Sequence, residues 1–149
     1  MRVHASCVLI DDAAVLIRGP SGSGKSTLAL ALIAAAERRG RFARLVSDDR
    51  TGLQVLNGRV VARSVPSIAG RIEVRGVGLL TRAFEGAGVV RLVVDCLPHP
   101  PPRMPHESER TTVIGNVRLP RLVHYNAADF TEIVLWQLRG GHDIVMTAE

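Results

Sequence analysis

Eight consecutive residues, Gly19-Pro20-Ser21-Gly22-Ser23-Gly24-Lys25-Ser26, fit the pattern G-x-x-x-x-G-K-[ST] and carry the residue types needed to hold a phosphate chain. Glycine at 19, 22 and 24 permits backbone angles that a Cβ would forbid, so successive N–H groups can turn inward around an anion. A helix behind the loop would add the positive end of its dipole. Lys25 supplies a mobile ammonium for the β- and γ-phosphates, Ser26 a hydroxyl that can ligate a bridging Mg²⁺, and Thr27 closes the binding stretch. Lys25 is the only lysine among 19 basic residues, the rest being arginine. A compact point charge is therefore reserved for this one position.

Phosphate binding alone does no chemistry; transfer also needs a base to orient the acceptor and cations for the developing charge. Asp48 and Asp49 follow the apolar run Arg44-Leu45-Val46-Ser47, as acidic groups do at a strand end facing a phosphate loop. They are the best base candidates, against the plainer alternative of a solvated Asp-Asp-Arg-Thr-Gly turn. Glu73 and Arg75 flank Val74, an alternation that in a strand puts both charges on one face. From spacing alone they read as an exposed ion pair. Arg103 lies in a proline-rich stretch and could reach a transferring phosphoryl group, although by itself it reads as a surface arginine. His4 reads as a strand histidine.

These residues need elements to position them. Residues 2–9 predict a first strand, Asp11-Asp12 a turn, and 13–18 a second strand that feeds the loop. Residues 26–39 predict a well-buried helix capped by Gly40. Residues 44–47 predict a short buried strand, and 53–63 a hairpin around a type I′ turn at Asn57-Gly58. Residues 68–75 are open between helix and loop. Residues 89–96, VVRLVVDC, predict a strand buried on both faces. The prolines from Leu97 to Pro105 exclude helix and central strand and mark an exposed connection. Residues 112–118 suggest one short strand. Residues 127–139 predict a final helix, with Asn126 as its cap and Gly140-Gly141 as its end.

At 149 residues the chain is expected to form a single domain, 1–149, with a full core. Hydrophobic residues make up 46% and charged residues 22%, an ordinary globular balance. Aromatics at 3% leave no evident stacking platform for single strands, and the scattered arginines behind the net charge of +5 give no motif for specific nucleic-acid binding. Cys7 and Cys96 lack metal-ligand spacing and read as apolar core residues of a reducing compartment. No apolar run is long enough to span a bilayer, so a cytoplasmic location without membrane contact is expected.

His4, GPSGSGKS at 19–26, LVSDDR at 45–50, IEVRGVGLL at 72–80 and FEGAG at 84–88 occur in an order that resembles the catalytic domain of HPr kinase/phosphorylase over about residues 3 to 122. The EVRGVG segment is far more specific than the phosphate loop. The resemblance implies an α/β fold: a P-loop nucleotide-binding domain with a mixed β-sheet, like that of phosphoenolpyruvate carboxykinase. It implies ATP and Mg²⁺ as cofactors, phosphorylation of a serine on HPr or an HPr-like phosphocarrier of the bacterial phosphotransferase system, and hexamers. By the same resemblance Asp49 accepts the serine proton with Asp48 beside it. Ser26 and Glu73 hold the magnesium, and Lys25 the phosphates. His4, Arg75 and Arg103 support the reacting centre.

The chain departs from the family in two respects. It begins almost at the catalytic domain, like short forms that lack the extra N-terminal domain. Where the family has a proline-glycine-arginine-asparagine loop used for dephosphorylation, this chain reads Val123-His124-Tyr125-Asn126-Ala127-Ala128. The resemblance therefore does not carry phosphorylase activity over. Two other readings stay open: a small-molecule kinase with the same loop, and an ATP-binding sensor module that transfers nothing.

Overall fold

A computed structural model describes residues 1–101, 103, 104, 106–125 and 130–139. The element that feeds the phosphate loop is β3 (Ala13–Arg18), and it is central. It pairs antiparallel with β2 (Ala5–Ile10) through the turn at Asp11-Asp12, and parallel with β9 (Ala87–Cys96). Beyond β2 lies β4 (Ala43–Ser47), antiparallel to it. On the far side of β9 the sheet divides. The first part of β9 pairs antiparallel with β6 (Arg59–Arg63), and its last four residues pair parallel with β11 (Val117–His124). The hairpin partner of β6 is β5 (Thr51–Leu56), edged by the short β1 (Arg2–Val3), and β10 (Thr111–Ile114) edges β11. Nine strands among the described residues thus form one mixed, branched sheet.

Alternation along the strands sends side chains to two cores. Val15, Ile17, Leu92 and Val94 face α1 (Lys25–Arg38), whose Leu28, Leu32, Ile33 and Ala36 are buried against them. Leu16, Val93, Val60, Ala62 and Leu119 fill the other face. β9 is apolar on both sides because it serves both cores, as its unbroken valine and leucine run predicts. At the end of α1, Gly40 (φ 70) donates its N–H to the carbonyl of Glu37 at 2.9 Å, and Arg41 donates to Ala36 at 3.0 Å. This is a Schellman closure, which relies on the left-handed glycine. A second helix, α2 (Phe130–Gln137), buries Phe130, Val134 and Leu135 in the α1 core. Of the helix expected over 127–139, its beginning, the Asn126 cap and the Gly140-Gly141 stop lie outside the described residues.

Three local expectations are corrected. The first strand is interrupted at His4, because its two halves pair with different partners, β1 with β5 and β2 with β3 and β4. His4 therefore sits at a break rather than within a strand. Residues 68–75 are neither helix nor simple loop: a 3-10 turn (Pro66–Ile68) precedes β7 (Arg71–Val74), which pairs with β8 (Gly78–Thr81) in a separate hairpin. Glu73 lies on β7 but Arg75 falls in its turn, so the two do not share a strand face. Residues 112–118 are not one strand, since Gly115 (φ 62) reverses the chain between β10 and β11.

Candidate active site

The phosphate loop bridges β3 and α1, and the local sequence explains its shape. An added Cβ at Gly19 would stand 2.6 Å from Ser23 Oγ and 2.8 Å from the Cys96 carbonyl oxygen, so the loop can cross the end of β9 only without a side chain there. Gly24 caps α1 in the left-handed region (φ 94), with no side-chain hydrogen bond to the helix and no acidic residue in the first turn. Without a side-chain cap, the amides at this end are left for an anion. Lys25, only 5% exposed, donates to the carbonyls of Gly19 (2.9 Å) and Pro20 (3.2 Å), which folds its ammonium over the loop. Cys96, beneath the loop, is buried, which pushes its thiol up to about 11 and keeps it inert.

β4 delivers the two aspartates in opposite directions. Asp49 adopts φ 66, and the Arg50 N–H donates to the Asp48 carbonyl at 2.7 Å, so the chain makes a three-residue turn centred on Asp49. Backbone strain of this kind is tolerated when the surroundings hold it, and it concentrates at functional positions. Asp48 points inward: its Oδ1 accepts the hydroxyls of Ser6 and Ser26, each at 2.7 Å, and its Oδ2 accepts the Glu73 N–H at 3.1 Å. It thereby fixes the loop serine and the β7 hairpin to the same strand end. Asp49 points outward, its Oδ1 2.9 Å from His4 Nε2 and 4.0 Å from Lys25 Nζ.

Ser6 is a site residue without a motif. It donates to Asp48 and accepts the Asp49 N–H at 3.1 Å, coupling the two acids. Its only signal in the sequence is one hydroxyl inside an otherwise apolar strand.

A cleft of ≈ 760 Å³ collects these groups, with Lys25, Ser26, Asp48, Asp49, Glu73 and Arg75 on its walls. Arg75 reaches across it, so that a Cβ at Gly22 would come within 3.3 Å of its Nη2. Glu73 is exposed on the rim and shares no direct bond with Ser26, whose hydroxyl donates to Asp48 and keeps its oxygen lone pairs for a ligand. Among the described residues no three His, Cys, Asp or Glu side chains gather into a metal site. A divalent ion here would thus depend on phosphate oxygens for part of its shell, which suits a metal that arrives with a nucleotide. Arg103 is exposed in the bend after β9 and does not line this cleft.

On the opposite flank of the loop a second cleft, of ≈ 610 Å³, is bounded by Leu97, Pro98, His124, Tyr125 and Phe130. Its rings are ordered: the His124 and Phe130 centroids are 4.5 Å apart with a 43° tilt.

The model of the HPr Serine kinase C-terminal domain matches residues 1–92 of this chain. The chain belongs to the HPr serine kinase C-terminal domain family. The matched segment holds the phosphate loop, both aspartates, Glu73 and Arg75, whereas Arg103 and the second cleft's aromatic wall lie beyond it. The HPr kinase/phosphorylase of Clostridium beijerinckii is 39% identical over 79 residues, which are 53% of this chain and 24% of that protein. The Clostridium tetani protein of the same name is 38% identical over the same length and coverage. The chain thus spans about a quarter of the curated relatives it matches. The solved Hpr(Ser) kinase/phosphatase of Coxiella burnetii superposes with a TM-score of 0.73 at 26% identity, covering 93% of this chain and 94% of that one. An α/β fold of the P-loop kinase kind, with a mixed sheet, is therefore this chain's fold. Among the described residues no helix is long and apolar enough to cross a membrane.

Proposed function

We propose that this chain is an ATP-dependent protein serine kinase that phosphorylates HPr or an HPr-like phosphocarrier of the bacterial phosphotransferase system. One observation carries the reading: Asp49 is held outward at a strained turn, 4.0 Å from the phosphate-loop lysine, while its neighbour Asp48 holds the loop serine. The names of the clostridial and Coxiella proteins support the choice of acceptor.

In this reading Asp49 takes the proton of the acceptor serine as its oxygen bonds to the γ-phosphorus, and the bond from that phosphorus to the β–γ bridging oxygen breaks to release ADP. Lys25 and Arg75 offset the charge that gathers on the transferred group. His4 holds the Asp49 carboxylate in place. Mg²⁺, held by Ser26 and Glu73 together with phosphate oxygens, would supply Lewis-acid neutralisation of the β- and γ-phosphates. The family resemblance extends the proposal to a cytoplasmic homo-oligomer, a hexamer. Phosphorolysis is not part of it, because residues 123–128 lack the family's loop for that step.

Incubation with ATP, Mg²⁺ and HPr-like carriers, followed by mass spectrometry, should find one phosphoserine on the carrier. Bound ATP without any phosphoserine would replace the proposal with a sensor module, and a phosphorylated small molecule would replace it with a metabolite kinase.

A further inference from the structure

The two clefts share Ser21, Gly22, Gly24 and Thr27, so they are the two flanks of one phosphate cradle. Their linings differ in kind. The flank with the aspartates is charged, whereas no Asp, Glu, Lys or Arg among the described residues lines the other. A nucleoside triphosphate has the same polarity, with an anionic reacting end and a flat, uncharged base at the other.

We infer that the wall made by Leu97, Pro98, His124, Tyr125 and Phe130 takes the nucleobase, with the His124 imidazole as the group that hydrogen-bonds its edge. The inference rests on the nucleotide binding proposed above and adds to it the residues that read the base. His124 lines the cleft, and its buried Nδ1 has no hydrogen-bond partner among the described residues, so the ring's hydrogen bonding is not spent on the rest of the protein. Burial also holds the imidazole below its ordinary pKa, so near neutrality the ring is uncharged, with one donor and one acceptor nitrogen. That chemistry matches a base edge better than a phosphate. Phe130 fixes the tilt of the ring, and Tyr125, 38% exposed at the mouth, offers a face for stacking.

The placement also gives a role to part of the segment where the chain leaves its family's pattern. Val123 and His124 are the last residues of β11, in register with Asp95 and Cys96 of β9. Leu97 donates its N–H to the His124 carbonyl at 2.9 Å, so both halves of the wall leave the sheet from one point. Val123, His124 and Tyr125, the described part of that departure, therefore fall on the base side of the cradle.

Calorimetric titration with ATP and with inorganic tripolyphosphate, both with Mg²⁺, separates the base from the phosphates. ATP should bind about tenfold more tightly than tripolyphosphate, the scale of one stacked base. Tyr125→Ala and His124→Phe should each weaken ATP by about fivefold while leaving tripolyphosphate unchanged. Tyr125 is exposed, so its removal does not threaten folding, and His124→Phe keeps the ring contact with Phe130. Equal affinities for the two ligands, or variants that weaken both alike, would overturn the base wall. If neither ligand binds, the phosphate-loop reading falls and the inference with it. Base-dependent ATP binding without phosphoserine on any carrier would overturn the kinase proposal alone.

Discussion

On one side of the phosphate loop stand Asp48, Asp49, Glu73 and Arg75; on the other stand Leu97, Pro98, His124, Tyr125 and Phe130. The first set comes from residues 1–92, which match the family model, and is cross-linked by charged hydrogen bonds. The second comes wholly from beyond residue 92 and is joined by the His124–Phe130 ring contact and the bond from the Leu97 N–H to the His124 carbonyl. Reaction geometry needs fixed donors and acceptors at short range, and a single substitution there is costly. A base pocket needs only a flat apolar slot with one polar contact, and many side chains can make one. The difference fits the proposed roles: the flank with the aspartates lies within the matched residues 1–92, and the other flank lies beyond them.

The sharpest way to break this contrast is at Asp49. Asp49→Ala should lower phosphoryl transfer by about 10²–10⁴-fold, as expected for loss of a general base. ATP affinity should stay within a few-fold, since the loop and the aromatic wall are intact. A matched fall in affinity would mean that the flanks are not separate, and transfer at the wild-type rate would remove Asp49 from the chemistry.

Asp48 should act on stability as well as on rate. Asp48→Ala leaves the Ser6 and Ser26 hydroxyls and the Glu73 N–H without their acceptor. Each buried donor left unpaired costs about 1–3 kcal/mol, so a total of at least ~2 kcal/mol is expected. For a chain of this size that lowers Tm by about 4–8 °C, measurable by calorimetry. An unchanged Tm would show that the reactive flank is not tied together through this carboxylate.

Asp95 joins the two flanks at their root. On β9 it accepts Arg18 Nε at 2.7 Å and Nη2 at 2.8 Å, just before the phosphate loop, and also Arg121 Nε on the strand that leads to His124. Burial raises the Asp95 pKa, but hydrogen bonds and charge from both arginines outweigh it, leaving the folded-state value below the ordinary 3.8. The unfolded chain therefore binds the proton more readily. The contribution to stability is complete above about pH 4 and is lost as pH falls through the lower folded value. Asp95→Asn should cost about 1–3 kcal/mol at pH 7 and flatten the loss of Tm between pH 5 and pH 2. An acid slope equal to that of the natural chain would place the titrating group elsewhere.

Much of this was legible in the sequence where one residue type has few substitutes. The glycines and Lys25 of the phosphate loop, the Asp48-Asp49 pair, the Asn57-Gly58 turn and the doubly buried β9 each announce themselves through chemistry that little else can supply. What was hidden depends on pairing across the chain. The break at His4 arises because β1 and β2 choose different partners, and the β7–β8 hairpin has no apolar alternation clean enough to separate it from a loop. The Gly115-Asn116 reversal was obscured because both strands beside it are short. Asp48 and Asp49 were visible as a pair, but their division into an inward clamp and an outward carboxylate needs the left-handed turn at Asp49 and the buried Ser6 hydroxyl.

The smallest effect is expected at the outer tie of the aromatic wall. Arg39, just past α1, donates through Nη1 to the Ala35 carbonyl at 2.9 Å and pairs through Nη2 with Glu132 on α2. Both side chains are substantially exposed, 40% and 47%, so the pair is screened by water and should contribute about 0.2–1 kcal/mol. Phe130, Val134 and Leu135 are instead buried in the α1 core, where area removed from water dominates. Arg39→Ala should thus lower Tm by no more than about 4 °C and leave the preference for ATP over tripolyphosphate unchanged. If that preference disappeared while Tm held, the position of α2 would depend on its polar tie rather than its apolar face. The second flank would then be fixed by charge, as the first is, and the contrast between them would fail.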